Sequence, residues 1–495
     1  MTPSYDETTP LRRWVYALLI SVAVAGICGR ILSIIRVYEP DLFRAEGEVD
    51  SPYGEWPKTR PQPMPTLGAN DRSRWDTVRA LVDDGTYVIG RHVVDEKTGK
   101  PKDLGIVAED GWGTIDKVLK PGTDELYSSK PPFLPTLLAG EYWLLKKAFG
   151  WSITTDRNLV IRTVLLTFNV LPFLVYLWLL SRLLDRFGIT DWGRVFLMTA
   201  ACFGTLISPF LVSLNNHTLA ACFALFAVYL TLRELPSSTL GANLQAATAG
   251  LFSSFAACNE LPAASLVAGL LVVWVMRQSR PAALCFVLAA MIPAAGFLLT
   301  NKMAIDQYLP AYGEFGGDWY EYEGSYWKPD PSKPKQGIDW ASAKEQRGDY
   351  AFHLTLGHHG LFSLTPVFVL ALGGIGFAAF RFMQSIRLYG GLTWVSLLTL
   401  CVTLVVLAFY IFYVPDRSRN YGGWACGARW LLWLTPLLIL SAVPAADWLG
   451  LRRWGRGLGY ILLAVSVFSA SYPAWNPWRH PWLYNLLTEM KLLDY

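Results

Sequence analysis

Asn70-Asp71-Arg72-Ser73-Arg74-Trp75 opens, and Tyr127-Ser128-Ser129-Lys130-Pro131-Pro132-Phe133-Leu134 closes, the central part of a polar loop over residues 36 to 157. The loop follows directly on an apolar stretch, residues 14 to 35, that is long enough to cross a bilayer. An acid, basic groups and aromatics gathered behind a first anchor, ahead of many further apolar segments, point to chemistry on a lipid-borne substrate rather than passage through a pore.

Apolar runs recur near residues 159–181, 193–210, 214–232, 241–258, 262–276, 281–300, 361–380, 388–413, 428–447 and 457–472. With the first, that is about eleven spans of about 20 residues each. The 495 residues are 53% hydrophobic and 14% aromatic, and the mean hydropathy of +0.29 lies outside the ordinary soluble range. The runs lack the alternation of a barrel strand, and hydrocarbon offers the backbone no water, so they are helices. The predicted fold is an all-α polytopic membrane protein with two extracytoplasmic loop regions containing short helices.

The first span reads as a retained anchor, because it outruns a signal core and Arg30 and Arg36 stand where a cleavage site belongs. With Arg12 and Arg13 placed inside, every short basic loop falls on the cytoplasmic side, including Arg182, Arg186 and Arg194, then Arg277 and Arg280, then Arg452, Arg453 and Arg456. The expected organisation is a cytoplasmic N-terminus and first span (1–35), an outer loop (36–157), spans two to seven (158–300), a second outer loop (301–360), spans eight to eleven (361–472) and an extracytoplasmic tail (473–495).

Net charge is only +4 and topology accounts for the basic loops, so nucleic acid is not an expected partner. The seven cysteines lie in or beside spans without a CxxC pair, which indicates neither a disulfide framework nor a zinc site. Trp56 to Pro65 reads as an extended Pro-rich connector.

Within the first outer loop, Trp75, Val78, Leu81 and Val82 recur at helical spacing, and Asp84-Gly85 forms a stop. The spacing predicts an amphipathic helix over 71–83 lying against the membrane surface, with Asn70 or Asp71 at its N-terminus. On spacing alone Asp71 reads either as a helix cap or as a functional acid. Lys130, stiffened by two prolines, reads either as a snorkelling anchor or as a phosphate ligand. Arg74 reads either as a partner of neighbouring acids one turn away or as a phosphate contact.

Asp71-Arg72-Ser73-Arg74-Trp75, then Asp83-Asp84-Gly85-Thr86-Tyr87, then Ser129-Lys130-Pro131-Pro132 with Leu134 and Leu137-Leu138-Ala139 resembles the first outer loop of GT-C glycosyltransferases. The match is nearest to the aminoarabinose and protein O-mannosyltransferase branch. The resemblance implies that Asp71 is the catalytic base or acceptor-positioning acid, and that Lys130 contacts the polyprenyl phosphate of the donor. Such a transfer needs a carboxylate for the acceptor proton and cations over the departing phosphate. The sequence departs from the pattern at Arg72, which replaces a second acid, and by an insertion from Asp95 to Glu125.

Further candidates lie at span ends. Leu214-Asn215-Asn216-His217-Thr218 reads as a helix-to-helix hydrogen-bonding cluster or a cavity lining. Glu260 sits in a turn between spans and needs either a basic partner or headgroup water. In the second outer loop, Tyr308, Tyr312, Trp319, Tyr320, Tyr322, Tyr326 and Trp327 read as a sugar-stacking surface or an interfacial belt. His358 and His359 are candidate phosphate or sugar contacts; as neighbours they are not expected to share a metal by themselves. Arg419 and Arg429, the latter at the outer end of a late span without a topogenic reason, are the further phosphate candidates, with Asp416 or Glu260 as alternative salt-bridge partners.

The expected activity is transfer of a sugar from a polyprenyl-phosphate donor in the membrane to an extracytoplasmic acceptor, of the inverting type. No cofactor is read from the chain beyond an unassigned divalent metal. The alternatives are a lipid-linked glycan transporter or flippase, which calls for charges deep in several spans, and a non-catalytic binding or scaffold relative.

Overall fold

The computed structural model describes residues 8–34, 64–276, 280–329, 337–384, 391–493 and 495. The Pro-rich connector lies, up to residue 63, outside the described residues.

Helix α1 (Thr8–Ser33) is followed by the outer-loop helices α2 (Ala69–Arg79) and α3 (Phe133–Phe149). Helix α4 (Arg157–Leu165) runs through a π-turn into α5 (Leu171–Phe187), and α6 (Asp191–Phe203) is broken from the short α7 (Ile207–Phe210). Next come α8 (His217–Leu232), α9 (Thr239–Asn259), α10 (Ala264–Met276) and α11 (Arg280–Ile305). The second outer loop carries α12 (Arg347–Thr355), before α13 (Leu361–Leu364), α14 (Val369–Gln384) and α15 (Gly391–Ala408). A 3-10 segment (Arg429–Leu434) leads into α16 (Thr435–Ser441), α17 (Val443–Gly450), α18 (Arg453–Ser471) and the tail helix α19 (Trp482–Glu489).

Each apolar run read from the sequence lies largely in helix. By length and hydropathy, five helical segments among the described residues can cross a membrane: Pro10–Ser33, Arg157–Phe187, Asp191–Phe210, Arg280–Ile305 and Gly391–Tyr413. The pair Arg429–Ser441 and Val443–Gly450, bent by 45°, makes a sixth if read as one span. That is fewer than the eleven expected. His217–Leu232, Leu261–Met276 and Pro366–Phe380 are apolar but shorter, and α9 carries Gln245, Thr248, Ser253 and Ser254 along its length. These helices are nonetheless central. Helix α8 is buried along most of its length, and α9 and α11 approach so closely that a Cβ on Gly250 would sit 2.1 Å from the Phe286 carbonyl oxygen.

The first outer loop is not purely helical. Strands β1 (Gly90–Val94), β2 (Pro101–Leu104), β3 (Lys117–Leu119) and β4 (Glu125–Ser128) form an antiparallel sheet of order β2-β1-β4-β3. Arg91 pairs with Leu104, Gly90 with Leu126 and Lys117 with Ser128. The insertion from Asp95 to Glu125 supplies β2 and β3, while β1 and nearly all of β4 flank it. Val93, Val94, Val118, Leu119 and Tyr127 favour extended backbone, and Gly99 and Gly122, at φ +64° and +77°, turn the two hairpins. Val118 and Tyr127 pack with Tyr320, Ala304 and Ala311 of the second outer region in a small separate core. Tyr320 of the aromatic string is thereby buried and Tyr322 packs into the main core, whereas Tyr308, Tyr312 and Tyr326 stay exposed.

Helix α2 forms where expected and continues through a π-helical turn, Ala80–Asp84, to a stop at Gly85, in the left-handed region at φ +68°. It is not an amphipathic surface helix: every residue from Asn70 to Val78 is buried. The reason is that most of its polar side chains find protein partners instead of water; Asp76, with both carboxylate oxygens buried and, among the described residues, without a hydrogen-bond partner, is the exception. Arg72 Nε donates to the Gly113 carbonyl at 2.7 Å, and Ser73 Oγ donates to the Asp116 carbonyl at 2.6 Å.

Candidate functional site

The site forms where α2, the strand-bearing loop, the start of α8, the α9–α10 turn and the 3-10 segment at Arg429 meet. Helix α2 brings Asp71 and Arg74. Asp71 is 1% exposed. Its Oδ1 accepts the amide of Gly68 at 2.7 Å and that of Arg72 at 3.0 Å. Its Oδ2 accepts the Leu67 amide at 2.9 Å and the Ser213 hydroxyl at 3.1 Å. The carboxylate thus holds the first turn of α2 by accepting the backbone amide of the N-cap residue Gly68, which has no side chain to return the bond. Burial raises its pKa against those amides, Arg72 and Ser213. Gly68 is required here by close approach, since a Cβ would lie 2.8 Å from the Trp478 ring.

Arg74 also reaches back toward the start of the helix. Its guanidinium donates to the Asn70 carbonyl at 2.8 Å and to the side-chain oxygens of Asn70 and Asn216. Asn216 Nδ2 in turn donates to Glu260 Oε1 at 2.7 Å. Glu260 also contacts His217 Nδ1, and His217 Nε2 accepts from Arg429 Nη1 at 3.3 Å. That direction of donation places the His217 proton on Nδ1, toward Glu260. The span-end Asn216-His217 pair therefore links two arginines to one acid, the cavity-lining reading of that motif.

Arg429 is 9% exposed. Its guanidinium lies 5.1 Å from the centre of the Trp478 ring, and Trp478 Nε1 donates to Ser213 Oγ at 2.8 Å. The Gly422-Gly423 turn cradles it. Both glycines have positive φ, +91° and +68°, and a Cβ on Gly422 would sit 2.7 Å from Arg429 Nε, one on Gly423 2.7 Å from Asp339 Oδ1.

Lys130 completes the cationic group from the loop side. Its Nζ pairs with Asp116 Oδ1 at 2.8 Å, and its backbone amide is held by Ser128 Oγ at 3.1 Å, which itself meets Ser73 Oγ at 2.5 Å. Lys130 also lines a crevice with Tyr87, Tyr127 and Pro132 of the loop and Asn301 and Ala304 of α11.

The electrostatics are those of one shared cluster. Burial, then Arg429, push the Arg74 guanidinium down to about 10. Burial lowers Lys130 as well; Asp116 opposes the shift, and Arg429 and Arg74 add to it. At Asp116 burial works against the charge, but Lys130, Arg429 and Arg74 outweigh it and hold the carboxyl below its ordinary range. Burial pushes Glu260 up to about 8 despite Arg429 and Arg74. Among the described residues, neither Arg74 nor Arg429 forms an ion pair with a carboxylate; Glu260 goes to His217 and Asp116 to Lys130. Buried guanidinium charge without a carboxylate is costly, and an anionic ligand relieves it.

The structure therefore brings together Asp71, Arg74, Lys130, Glu260 and Arg429. It directs the other sequence candidates elsewhere. Arg419 pairs with Asp416 at 3.2 Å and lies 5.7 Å from the centre of the Tyr350 ring. His358 and His359 contact each other and the aromatic rings of Tyr421 and Tyr484. Asp116, Asp339 and Trp478 escaped the sequence reading. Asp116 lies in the insertion, and Trp478 in a tail read only as extracytoplasmic; Trp475-Asn476-Pro477-Trp478, an aromatic and proline string too short to span, was the available signal.

No protein-family model and no curated protein matches the sequence. In structure the chain is similar to the oligosaccharyltransferase of Archaeoglobus fulgidus in its apo form, at 13% identity and a TM-score of 0.46, over 98% of this chain and 59% of that one. The same enzyme in complex with Zn and sulfate gives 13% identity and 0.43, over 96% and 55%. Its complex with an inhibitory peptide and a dolichol-phosphate gives 11% and 0.41, over 97% and 58%. The chain spans less than two-thirds of the length of each of these structures.

Proposed function

We propose that this multi-pass membrane protein is a GT-C-type glycosyltransferase that moves a sugar from a polyprenyl-phosphate donor to an acceptor on the extracytoplasmic side. The observation that carries the reading is the pair of buried guanidiniums, Arg74 and Arg429, lacking carboxylate partners beside Lys130. Three cations converging from a loop helix, a loop strand end and a late span suit a phosphate held at the edge of the membrane. They stabilise the charge that grows on the leaving phosphate as the glycosidic bond breaks. The other buried arginine group, Arg12 with Asp185 and Asp191, is paired internally rather than left open along the spans, which favours transfer over transport.

The acceptor proton needs a carboxylate within reach. Asp71 is the proposed base, and its longest hydrogen bond, from Ser213 at 3.1 Å, is the one to be released for that role. Asp116, tied to Lys130 and free of the amide bonds that fix Asp71, is the second carboxylate at the cations.

The test is release of polyprenyl phosphate from a panel of labelled lipid-linked sugars by the purified protein, with Asp71→Asn and Asp116→Asn alongside. Turnover lost in Asp71→Asn supports the assignment; loss in Asp116→Asn alone transfers the role to Asp116. No turnover with any donor, or full turnover in both variants, removes the glycosyltransferase reading.

A further inference from the structure

Outside the cationic cluster, the second outer loop gathers a different set of groups. Glu345, His353 at the end of α12, and His358 five residues beyond His353 place one ligand atom each within 4.8 Å of one another. The His353 and His358 rings are stacked at 4.1 Å between centroids. Tyr421 donates to Glu345 Oε2 at 2.6 Å. The Tyr495 hydroxyl bridges the rest, meeting His358 Nε2 at 2.8 Å and donating to Glu345 Oε1.

Hydrogen bonds within this group do not satisfy it. His353 Nδ1 and His359 Nε2 are both buried without a partner, and two orphaned imidazole nitrogens in one place are more than a folded chain ordinarily leaves unmet. His353 is also wedged: a Cβ on Gly357 would lie 2.3 Å from its Nδ1, so the ring position depends on that glycine.

We propose that Glu345, His353 and His358 bind a divalent cation of the zinc class, with the Tyr495 hydroxyl at the fourth position. Two imidazoles and a carboxylate are a donor set that zinc takes up readily. Around them stands the outer support such sites use: Tyr421 on the carboxylate, and His359 Nδ1 at 2.5 Å from His358 Nδ1, which fixes the ring and its tautomer. Two ligands on one zinc ion are at most about 4.2 Å apart, twice a bond of ~2.1 Å, so the triad closes slightly as the ion enters. The ion would tie α12 to the 357–360 turn and to Tyr421, which precedes the Gly422-Gly423 cradle of Arg429. The site shares no ligand with the cationic cluster and stands or falls independently of the glycosyltransferase reading.

The test uses the full chain purified in detergent, stripped with chelator and dialysed. Zinc uptake measured by elemental analysis is expected to reach about one per chain. Co(II) should give the visible absorption of a tetrahedral site, and zinc should raise the unfolding temperature. Glu345→Gln, His353→Ala and His358→Ala are each expected to weaken uptake at least about tenfold, whereas His480→Ala, outside the triad, leaves it unchanged. Wild-type protein that takes up neither Zn(II) nor Co(II) overturns the proposal whatever the variants do. So does uptake that persists undiminished in the folded triad variants.

Discussion

Two buried arginine clusters divide this molecule. Where α1, α5 and α6 meet, Arg12 is 6% exposed and reaches Asp185 at 2.8 Å and Asp191, and Arg194 reaches the same Asp191 at 3.2 Å. Around α2 and the start of α8, Arg74 and Arg429 are equally buried, but amides, an imidazole and an indole face serve in place of carboxylates. The first cluster is electrically complete. Among the described residues the second pairs its arginines with no carboxylate, and on that difference rests the proposal that it binds an anion while the first holds helices together.

The largest expected effect follows from removing that charge. Arg429→Met should lower turnover of a polyprenyl-phosphate sugar by about 100- to 1,000-fold while leaving the protein folded. Arg12→Met should do the reverse, costing about 1–3 kcal/mol of stability through the stranded Asp185 with donor binding unchanged in the folded fraction. Paired denaturation and turnover measurements on both variants would collapse the distinction if the two behaved alike.

Next in size is Gly422→Ala. The positive φ and the 2.7 Å approach to Arg429 Nε both oppose a Cβ, so about 1–3 kcal/mol of strain is expected, together with reduced donor affinity as Arg429 is displaced. An unchanged affinity would show that the cradle does not set the Arg429 position.

A smaller effect concerns pH. The folded Glu260 carboxyl holds its proton up to about 8, against an ordinary value of 4.5. Between those values the folded state binds more protons than the unfolded state, so this group's contribution makes stability fall as pH rises from 4.5 to 8. Glu260→Gln should flatten that part of the profile in thermal unfolding; an identical slope would deny Glu260 the role. Smallest is Asp71→Asn as a structural change. Weakening the Asp71 bonds to the Leu67 and Gly68 amides should cost about 1 kcal/mol, so a far greater loss of turnover than of stability in that variant is the mark of chemistry at Asp71.

The apolar runs made the helices legible, because burial in hydrocarbon or in a helical core needs only local composition. Asp71, Arg74 and Lys130 were legible as candidates through the outer-loop motifs and their resemblance to a family, Glu260 and Arg429 because polar groups at span ends are few. What each of them touches was not. Asp71 meets Ser213 and Arg74 meets Asn216 across 142 residues of sequence, and no local pattern encodes such a pairing. The sheet was hidden for another reason: its strands have only three to five residues, too short for alternation to register. Without it, Asp116 had no visible place beside Lys130, and α2 looked like a surface helix because the backbone that covers it was unassigned.

The central claim is that Arg74 and Arg429 hold a lipid-borne phosphate. Its most direct test is equilibrium binding of a polyprenyl phosphate to the detergent-purified chain, comparing wild type with Arg74→Met, Arg429→Met and Arg12→Met. The account predicts binding that inorganic pyrophosphate displaces and that each of the first two variants weakens at least about tenfold, about 1.4 kcal/mol, while Arg12→Met leaves it intact. Binding equal in all four proteins would contradict it.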